Sequence, residues 1–178
     1  MQTYEEAIKS VVSILKPKTV LELGTGYGIS GGVFLDCGAE KLVSVDKLPV
    51  SKEKEKVVRH LKKGQELIFL QEDTMRAETK DKLGMFDFVY VDAGHTYEEC
   101  KNDMEIAKTK LNDGGAMLIH DYTHANNNIP EGQNDCYGVR KAVDEFVLAN
   151  RDDIEKRGVI FEEHNNSFYI IKFKCEKK

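Results

Sequence analysis

Short apolar runs alternate with helix-like segments through most of the chain. The runs cover residues 19–23, 42–46, 67–71, 87–92 and 115–120. They are nearly continuous in Val, Ile and Leu instead of alternating with polar residues, which is typical of strands buried on both faces of a parallel sheet. The pattern therefore predicts an α/β fold with a central parallel sheet.

Two helix starts carry the same local signal. Thr3 with Glu6, and Thr96 with Glu99, have the spacing of a capping box, in which each side chain satisfies a free backbone N–H of the other residue. Helical spacing then predicts the buried face of each helix. The first should bury Ala7, Val11 and Ile14, and the second Tyr97, Cys100, Met104, Ala107 and Leu111.

The end of the second helix and a third helix also follow from the pattern. Residues 112–115, Asn-Asp-Gly-Gly, tolerate left-handed backbone and should end the second helix. The third helix should bury Val139, Val143, Phe146 and Val147.

The C-terminal part of the chain differs from the rest. Segments 158–163 and 168–173 flank the turn-rich residues 164–167, His-Asn-Asn-Ser, which is typical of an antiparallel hairpin. Five βα units followed by this hairpin predict a doubly wound seven-stranded sheet, mostly parallel. We find no repeat or linker, so residues 1–178 are predicted to form a single domain.

The composition of the chain restricts which binding partners and which cellular compartment we expect. With 26 basic and 31 acidic residues the net charge is −5, which argues against nucleic acid, whose binding needs clustered Lys and Arg. No apolar run approaches ~18 residues and the N-terminus is polar, so we expect no membrane span or signal peptide and a cytoplasmic protein. Four dispersed cysteines predict reduced thiols in place of zinc ligands or disulfides: Cys37, Cys100, Cys136 and Cys175.

A glycine-rich turn follows the first predicted strand. Gly24, Gly26 and Gly28 form the pattern GxGxG, because Ile29 occupies the sixth position where a dinucleotide site would have glycine. Small residues there let a ligand approach the backbone closely. Glu22, two residues before the turn, suits a cationic ligand better than a pyrophosphate.

The stretch LELGTGYG, residues 21–28, resembles the first motif of class I S-adenosylmethionine-dependent methyltransferases. The order of elements also resembles their Rossmann-like fold, from about residue 10 to the C-terminus. The resemblance implies that Glu22, Gly24 and Gly26 bind the methionine part of S-adenosylmethionine, Asp46 its ribose hydroxyls, and Asp73 lies near its adenine. NAD stays open as an alternative, since Asp46 could equally bind the ribose of that cofactor.

A second set of polar side chains follows the fourth and fifth predicted strands. Asp92 and His95 follow the fourth strand, and His120 and Asp121 follow the fifth. Strand ends that are neighbours at the carboxyl edge should bring the four together, and such a mixed set suits Mg²⁺ or Mn²⁺. His120 and Asp121 converge only if the strand has ended between them, because adjacent strand residues face opposite sides.

The segment from residue 86 to residue 122 resembles one branch of the family, the macrocin and mycinamicin O-methyltransferases and the cephalosporin hydroxylase-like proteins. Their pattern implies that Asp92 and Asp121 bind a metal ion and that His95 is a general base. His120 stands where some members carry Glu and is the third candidate metal ligand. The alternative is purely structural, with Asp92 as a helix cap and His95 as a hydrogen-bonding residue.

These observations together predict S-adenosylmethionine-dependent, metal-assisted methylation of an oxygen in a small molecule such as a sugar, polyol or catechol. The polar segment 122–138 is long enough to be functional and should cover the acceptor. Two other functions stay open: a non-catalytic module that binds S-adenosylmethionine or a nucleotide, and an NAD-binding Rossmann protein. A homo-oligomer is compatible with the sequence, and His124 and His164 are predicted to be surface residues.

Overall fold

The computed structural model of the chain describes residues 3–49, 51–123, 137–163 and 166–176. Helices and strands alternate along it. In chain order they are α1 (Tyr4–Leu15), β1 (Thr19–Leu23), α2 (Ile29–Asp36), β2 (Lys41–Asp46), α3 (Ser51–Val58), β3 (Glu66–Gln71), α4 (Ala77–Asp81), β4 (Phe86–Val91), α5 (Tyr97–Lys110), β5 (Leu111–His120), α6 (Tyr137–Ala149), β6 (Ile154–Glu163) and β7 (Asn166–Phe173).

The strands form one seven-stranded sheet in the order β3-β2-β1-β4-β5-β7-β6. The first five of these strands are parallel, and β7 runs antiparallel to both β5 and β6. The predicted doubly wound sheet with its C-terminal antiparallel hairpin is therefore confirmed. The chain reverses its direction of winding between β1 and β4, which is where such sheets bind their ligands.

Helices cover both faces of the sheet. Leu21 and Leu23 of β1 belong to the core formed with α5 and α6, whereas Val20 packs in the core formed with α1 and α2. Burial on both faces explains why the strands read as continuous apolar runs.

Both predicted capping boxes form, at Thr3 with Glu6 and at Thr96 with Glu99. The predicted inner face of α1 is wrong at Ile14, whose side chain is 81% exposed. The helix instead buries Ala7, Ile8, Val11 and Val12. Ile14 lies within the helix, at the edge of this buried face, and the chain leaves the helix at Lys16 in a left-handed conformation with φ 48°.

Three strands begin two or more residues earlier than predicted. β5 starts at Leu111, directly after α5 ends, so that Leu111 belongs to the strand and residues 112–115 do not end the helix. A register shift between Phe86 and Phe88 on β4, with Gly114 at φ 67°, absorbs this irregular start. β6 begins at Ile154 instead of residue 158, and β7 begins at Asn166 instead of residue 168. The predicted turn residues His164 and Asn165 lie outside the described part of the chain.

Residues on either side of the segment 124–136 are fixed to neighbouring elements. The Ser167 hydroxyl donates to the Thr123 carbonyl at 2.7 Å. A Cβ atom at Gly138 would lie 2.3 Å from the backbone nitrogen of Tyr97, so the start of α6 lies directly against the start of α5. Residues 124–136, which make up most of the predicted acceptor segment 122–138 and include His124, fall outside the described residues.

The described residues also bear on two expectations from composition. In the ranges given above, no helix has the length and apolar character needed to cross a membrane. Cys37, Cys100 and Cys175 are free thiols, and Cys136 is outside the described ranges.

Candidate active site

The glycine turn is held between two neighbouring strands. Gly24 adopts φ 98°, and its N–H donates to the carbonyl of Val45 at 2.8 Å. A Cβ atom at Gly24 would lie 2.2 Å from the carbonyl oxygen of Asp92. Only glycine satisfies both the left-handed backbone and this close approach.

Asp46, at the end of β2, organises the same turn. Its Oδ2 atom accepts hydrogen bonds from the backbone N–H groups of Thr25 at 3.1 Å and Gly26 at 3.2 Å. Its Oδ1 atom accepts one from Leu48 at 2.9 Å. A carboxylate has about four acceptor positions, so Asp46 keeps capacity for a ligand hydroxyl.

A cavity of about 210 Å³ opens beside this turn, and we call it the β2–β3 cavity. Its walls come from the ends of β1 to β4 and from α5: Gly24, Gly26, Val45, Asp46, Lys47, Leu48, Glu72, Asp73, Thr74, Met75, Asp92, Ala93, Gly94 and Glu99. Four of the predicted cofactor residues, Gly24, Gly26, Asp46 and Asp73, line it. Asp73 also shapes the loop after β3, since its Oδ1 accepts from the Met75 N–H at 3.0 Å.

Glu22, the fifth predicted cofactor residue, is fully buried and does not line the β2–β3 cavity. It does not line the neighbouring cavity beside α1 either. The hydroxyls of Ser30 and Ser44 donate to its two carboxylate oxygens. Burial raises the pKa of Glu22 from 4.5 to about 7, although these hydrogen bonds oppose the shift. The structure thus places this carboxyl group beneath the turn, and direct contact with a ligand stays a prediction.

A second cavity, of about 350 Å³, lies between the glycine turn and the start of α1, and we call it the α1 cavity. It is lined by Thr3, Tyr4, Glu5, Gly24, Thr25, Gly26, Tyr27, Ile29, Ser30, Asp92 and His120. Gly24, Gly26 and Asp92 line both cavities. The two spaces therefore adjoin across the turn, and one elongated ligand has room to occupy both.

The predicted cluster at the ends of β4 and β5 is assembled. β5 ends at His120, and Asp121 has the left-handed φ of 58°, so the two side chains converge instead of facing opposite sides. His120 Nδ1 lies 3.0 Å from Asp92 Oδ1 and 3.2 Å from Asp121 Oδ2. All three are largely withdrawn from solvent, with side-chain exposures of 12%, 21% and 10% respectively.

His95 completes this cluster from the turn that precedes α5. Its Nε2 lies 3.2 Å from Asp121 Oδ2 and 3.8 Å from Asp92 Oδ1, and it makes no hydrogen bond to any described residue. Asp92, His95 and Asp121 each offer one ligand atom, all within 4.8 Å of one another. That spacing fits a divalent cation with ligand distances of about 2.0–2.6 Å.

The trio differs from the predicted ligand set. It contains His95, which the sequence suggests as a base, and it does not contain His120, which the sequence suggests as a ligand. Which imidazole binds a cation and which accepts a proton stays a prediction.

The charges in the cluster compensate one another. Burial alone would raise the pKa of Asp92, but the hydrogen bond with His120 and the proximity of the His120 and His95 imidazoles hold it below its usual value. Burial would lower the pKa of His120, yet Asp121 and Asp92 raise it to about 10. Asp92 also raises the pKa of His95, with Asp121 adding to the effect against burial. The site thus favours positive charge between its two carboxylates.

The sequence did not reveal some of the residues that hold this cluster. The hydroxyl of Tyr90 donates to Asp92 Oδ2 at 3.1 Å, and the hydroxyl of Tyr4 lies 3.4 Å from the same oxygen. Tyr90 could have been found, because it precedes Asp92 by two residues and so shares its side of the strand. Tyr4 comes from α1, 88 residues away, and no local signal connects it to Asp92.

Asp103 of α5 is another such residue. It is fully buried, and its Oδ2 accepts from the backbone N–H of Gly94 at 3.3 Å. Burial raises its pKa to about 6. A Cβ atom at Gly94 would lie 2.2 Å from the Cβ of Glu99, so the turn carrying Asp92 and His95 lies tightly against α5.

Comparison with known proteins identifies the family of the chain. A family described as a methyltransferase domain matches residues 21–122, from β1 to just beyond Asp121. The chain belongs to the methyltransferase domain family. The matched segment contains all nine predicted site residues: Glu22, Gly24, Gly26, Asp46, Asp73, Asp92, His95, His120 and Asp121. A search of curated proteins found no match.

Solved structures share the fold of this methyltransferase domain at low sequence identity. An O-methyltransferase family protein from Burkholderia thailandensis has a TM-score of 0.72 at 16% identity, over 97% of this chain and 56% of its own. The O-methyltransferase TomG from Streptomyces achromogenes, involved in tomaymycin synthesis and solved with S-adenosylmethionine, has a TM-score of 0.72 at 17% identity, over 96% and 79%. An O-methyltransferase from Bacillus cereus, solved with S-adenosylhomocysteine, has a TM-score of 0.71 at 16% identity, over 96% and 81%.

The family prediction and the Rossmann-like fold of the methyltransferase domain are therefore confirmed. The chain spans 56% of the length of the Burkholderia protein. The closer resemblance to the macrocin and mycinamicin branch stays a prediction.

Proposed function

We propose that this protein transfers the methyl group of S-adenosylmethionine to an oxygen of a small-molecule acceptor, assisted by a divalent cation. One observation carries the proposal: Asp92 lines both cavities and also belongs, with His95 and Asp121, to the group that can hold a cation. Donor and cation would thus meet at one residue.

The methyl donor fits the two adjoining cavities. Its adenosine would occupy the β2–β3 cavity, where Asp46 keeps acceptor capacity for the ribose hydroxyls and Asp73 lies in the wall. Its methionine part would cross the glycine turn toward the α1 cavity, where Gly24 lets a ligand approach the backbone. The sulfonium would then lie near Asp92, whose negative charge favours a cationic centre.

The residues at the ends of β4 and β5 fit Mg²⁺ or Mn²⁺. Asp92 and Asp121 would hold the ion, because carboxylates are ligands for both Mg²⁺ and Mn²⁺, and a mixed set with an imidazole nitrogen as third ligand could also take Mn²⁺. Such an ion, when bound, lowers the pKa of a coordinated hydroxyl. The buried Nε2 atoms of His95 and His120 both lack a hydrogen bond among the described residues, so each imidazole has a nitrogen available for a cation or for the acceptor's proton.

Methyl transfer also requires in-line placement and removal of a proton. The acceptor oxygen forms a bond to the methyl carbon while the carbon–sulfur bond breaks, which yields the methyl ether and S-adenosylhomocysteine. We propose that His95 accepts the acceptor's proton, because its side chain is 42% exposed and can pass the proton to water. His120, at 12%, is less suited to that exchange.

Calorimetry tests the donor assignment. S-adenosylhomocysteine should bind the wild-type protein and NAD should not, and Asp46→Ala should weaken binding strongly because it removes both the ribose contact and the support of the turn. Asp36→Ala, at an exposed carboxylate paired with His60 and Lys62, should bind like the wild type. Tighter binding of NAD would contradict the proposal.

Turnover with a panel of sugars, polyols and catechols, measured with Mg²⁺ or with chelator, tests the acceptor class and the need for a cation. Chelator should suppress methyl transfer. Binding of S-adenosylhomocysteine without transfer to any acceptor, and without binding of Mn²⁺, would favour the non-catalytic module instead.

A further inference from the structure

We infer that Tyr4 and Tyr90 are positioning residues that fix the carboxylate of Asp92 for cation binding. This inference rests on the proposed function, because it takes Asp92 as a cation ligand. Neither tyrosine belongs to the glycine turn or to the cation trio, which is Asp92, His95 and Asp121.

The two phenols form a chain that ends on one carboxylate oxygen. The hydroxyl oxygens of Tyr4 and Tyr90 are 2.7 Å apart, and the hydroxyl of Tyr90 lies 3.1 Å from Asp92 Oδ2. Each phenol has one proton, so the arrangement that satisfies both has Tyr90 donating to Asp92 and Tyr4 donating to Tyr90. Burial raises the pKa of both phenols, with the charge of Asp92 adding to it, so both remain donors.

The hydrogen bonds of these two phenols decide which oxygen of Asp92 is available to a cation. Oδ2 is engaged by the phenols, whereas Oδ1 faces His120 at 3.0 Å and His95 at 3.8 Å. The terminal torsion of an aspartate is otherwise broad. With one oxygen held, the carboxylate offers Oδ1 alone to a cation, in a fixed direction.

Packing holds each phenol in place independently of its hydroxyl. The ring of Tyr4 meets that of His120 edge-on at 5.2 Å between centroids and that of Phe168 at 5.5 Å. The ring of Tyr90 lies 5.6 Å from that of Phe34 and 6.4 Å from that of Phe168. Removing only the oxygen should therefore leave the rings in position.

The experiment compares Tyr4→Phe and Tyr90→Phe with Tyr97→Phe. Tyr97 is a matched control, since its hydroxyl also donates to a carboxylate, Glu145 at 2.5 Å, but outside the cation trio. Mn²⁺ is titrated into each purified protein and free Mn²⁺ is measured by electron paramagnetic resonance. Melting temperature and calorimetry with S-adenosylhomocysteine report on the fold and on the donor site.

Loss of a hydrogen bond to a ligating carboxylate typically weakens metal binding about 10- to 100-fold. We expect a loss in that range for Tyr4→Phe and Tyr90→Phe, with S-adenosylhomocysteine still bound, and unchanged Mn²⁺ affinity in Tyr97→Phe. That difference would exceed what a merely structural role predicts, because all three variants lose one hydroxyl and keep their ring.

Other outcomes overturn the inference in distinguishable ways. Wild-type affinity for Mn²⁺ in both test variants, or equal weakening in Tyr97→Phe, would refute the positioning role and leave the proposed function intact. A wild-type protein that binds no Mn²⁺ would refute the cation part of the proposed function together with this inference. The titration with S-adenosylhomocysteine would then report separately on methyl-donor binding.

Discussion

Gly24 lies so close to Asp92 that a Cβ atom at residue 24 would stand 2.2 Å from the Asp92 carbonyl oxygen. The backbone N–H of Asp92 also donates to the carbonyl of Leu23 at 2.8 Å. The turn that lines both cavities and the first residue of the cation trio are thus in direct backbone contact. A change in one cannot leave the other undisturbed.

Gly24→Ala should therefore weaken binding of both S-adenosylhomocysteine and Mn²⁺, although residue 24 is not a cation ligand. The methyl group cannot fit without moving the main chain at Asp92. Calorimetry with each ligand measures the two effects.

Gly38→Ala is the matched control for backbone strain. Gly38 has φ 96°, close to the 98° of Gly24, but a Cβ atom there would meet nothing within 4 Å. Alanine in such a conformation costs about 1–3 kcal/mol of stability, so Gly38→Ala should lower the melting temperature while keeping both ligands. Equal loss of binding in the two variants would show that strain, and not contact with Asp92, is responsible.

His95→Ala separates the two roles open to this imidazole. A general base typically contributes about 10²–10⁴-fold, so kcat should fall within that range while S-adenosylhomocysteine and Mn²⁺ bind as before. His95→Gln should behave like alanine, because an amide does not accept the proton. Loss of Mn²⁺ affinity in the alanine variant would instead identify His95 as a cation ligand, and full activity would remove it from the mechanism.

The pH dependence of kcat gives a second view of His95. A base must be deprotonated to act, so activity should fall as pH falls through its pKa. Asp92 and Asp121 raise that pKa above the ordinary 6.5, which predicts an acidic limb displaced upward while the carboxylates are uncompensated. The limb should therefore lie at higher pH with limiting Mg²⁺ than with saturating Mg²⁺, and His95→Gln should abolish it.

Asp121→Asn should remove cation binding without unfolding the protein. Asn tolerates the left-handed φ of 58° at this position about as well as Asp, but it lacks the negative charge beside His95 and His120. Mn²⁺ titration and thermal melting measure the two properties. Asp121→Ala should lose both cation affinity and stability, and retained Mn²⁺ binding in Asp121→Asn would argue against this residue as a ligand.

Glu22 should make stability depend on pH. Its pKa is about 7 in the folded protein, against 4.5 ordinarily, so the folded state keeps a proton that the unfolded chain releases. This proton contributes roughly 3 kcal/mol to the free energy of unfolding. The contribution is fully present below pH ~4.5 and is lost as pH rises through ~7. Glu22→Gln stays neutral, so its stability relative to wild type should rise between pH 5 and pH 8 in denaturant titrations.

Glu40→Gln controls for the loss of one negative charge at an exposed carboxylate, with its side chain 62% exposed beside Lys18. Its stability relative to wild type should not follow the same course. A constant difference between Glu22→Gln and wild type across this pH range would show that Glu22 is ionised in the folded protein throughout.

The apolar runs were sufficient to predict the sheet, because strands that are buried on both faces are apolar at almost every position. The apolar pattern failed at Ile14 because the buried face of α1 runs through Ile8, Val12 and Leu15, and Ile14 lies at the edge of that face. It also failed at Leu111, where no connecting residues separate α5 from β5 and Gly114, which looked like a helix end, instead lies within the strand.

The candidate site was predictable wherever it depends on strand ends. Asp92 and Asp121 meet because β4 and β5 are neighbours, which strand order alone implies. Tyr4 and Asp103 were missed because their roles depend on how helices pack over the sheet. That packing cannot be inferred from the identity of a single residue on a helix. The burial of Glu22 was missed for a related reason: its partners Ser30 and Ser44 come from different elements.

The contacts of Thr123 and Gly138 bear on how the protein could be redesigned. Thr123 is tied to Ser167 of β7, and Gly138 has no room for a side chain beside Tyr97. Both junctions of the intervening segment are thus set by the sheet and α5. A segment grafted from another member of the family would have to meet these two attachment points, and if residues 124–136 cover the acceptor, as the sequence predicts, such an exchange would alter the choice of acceptor while leaving Asp92, His95 and Asp121 unchanged.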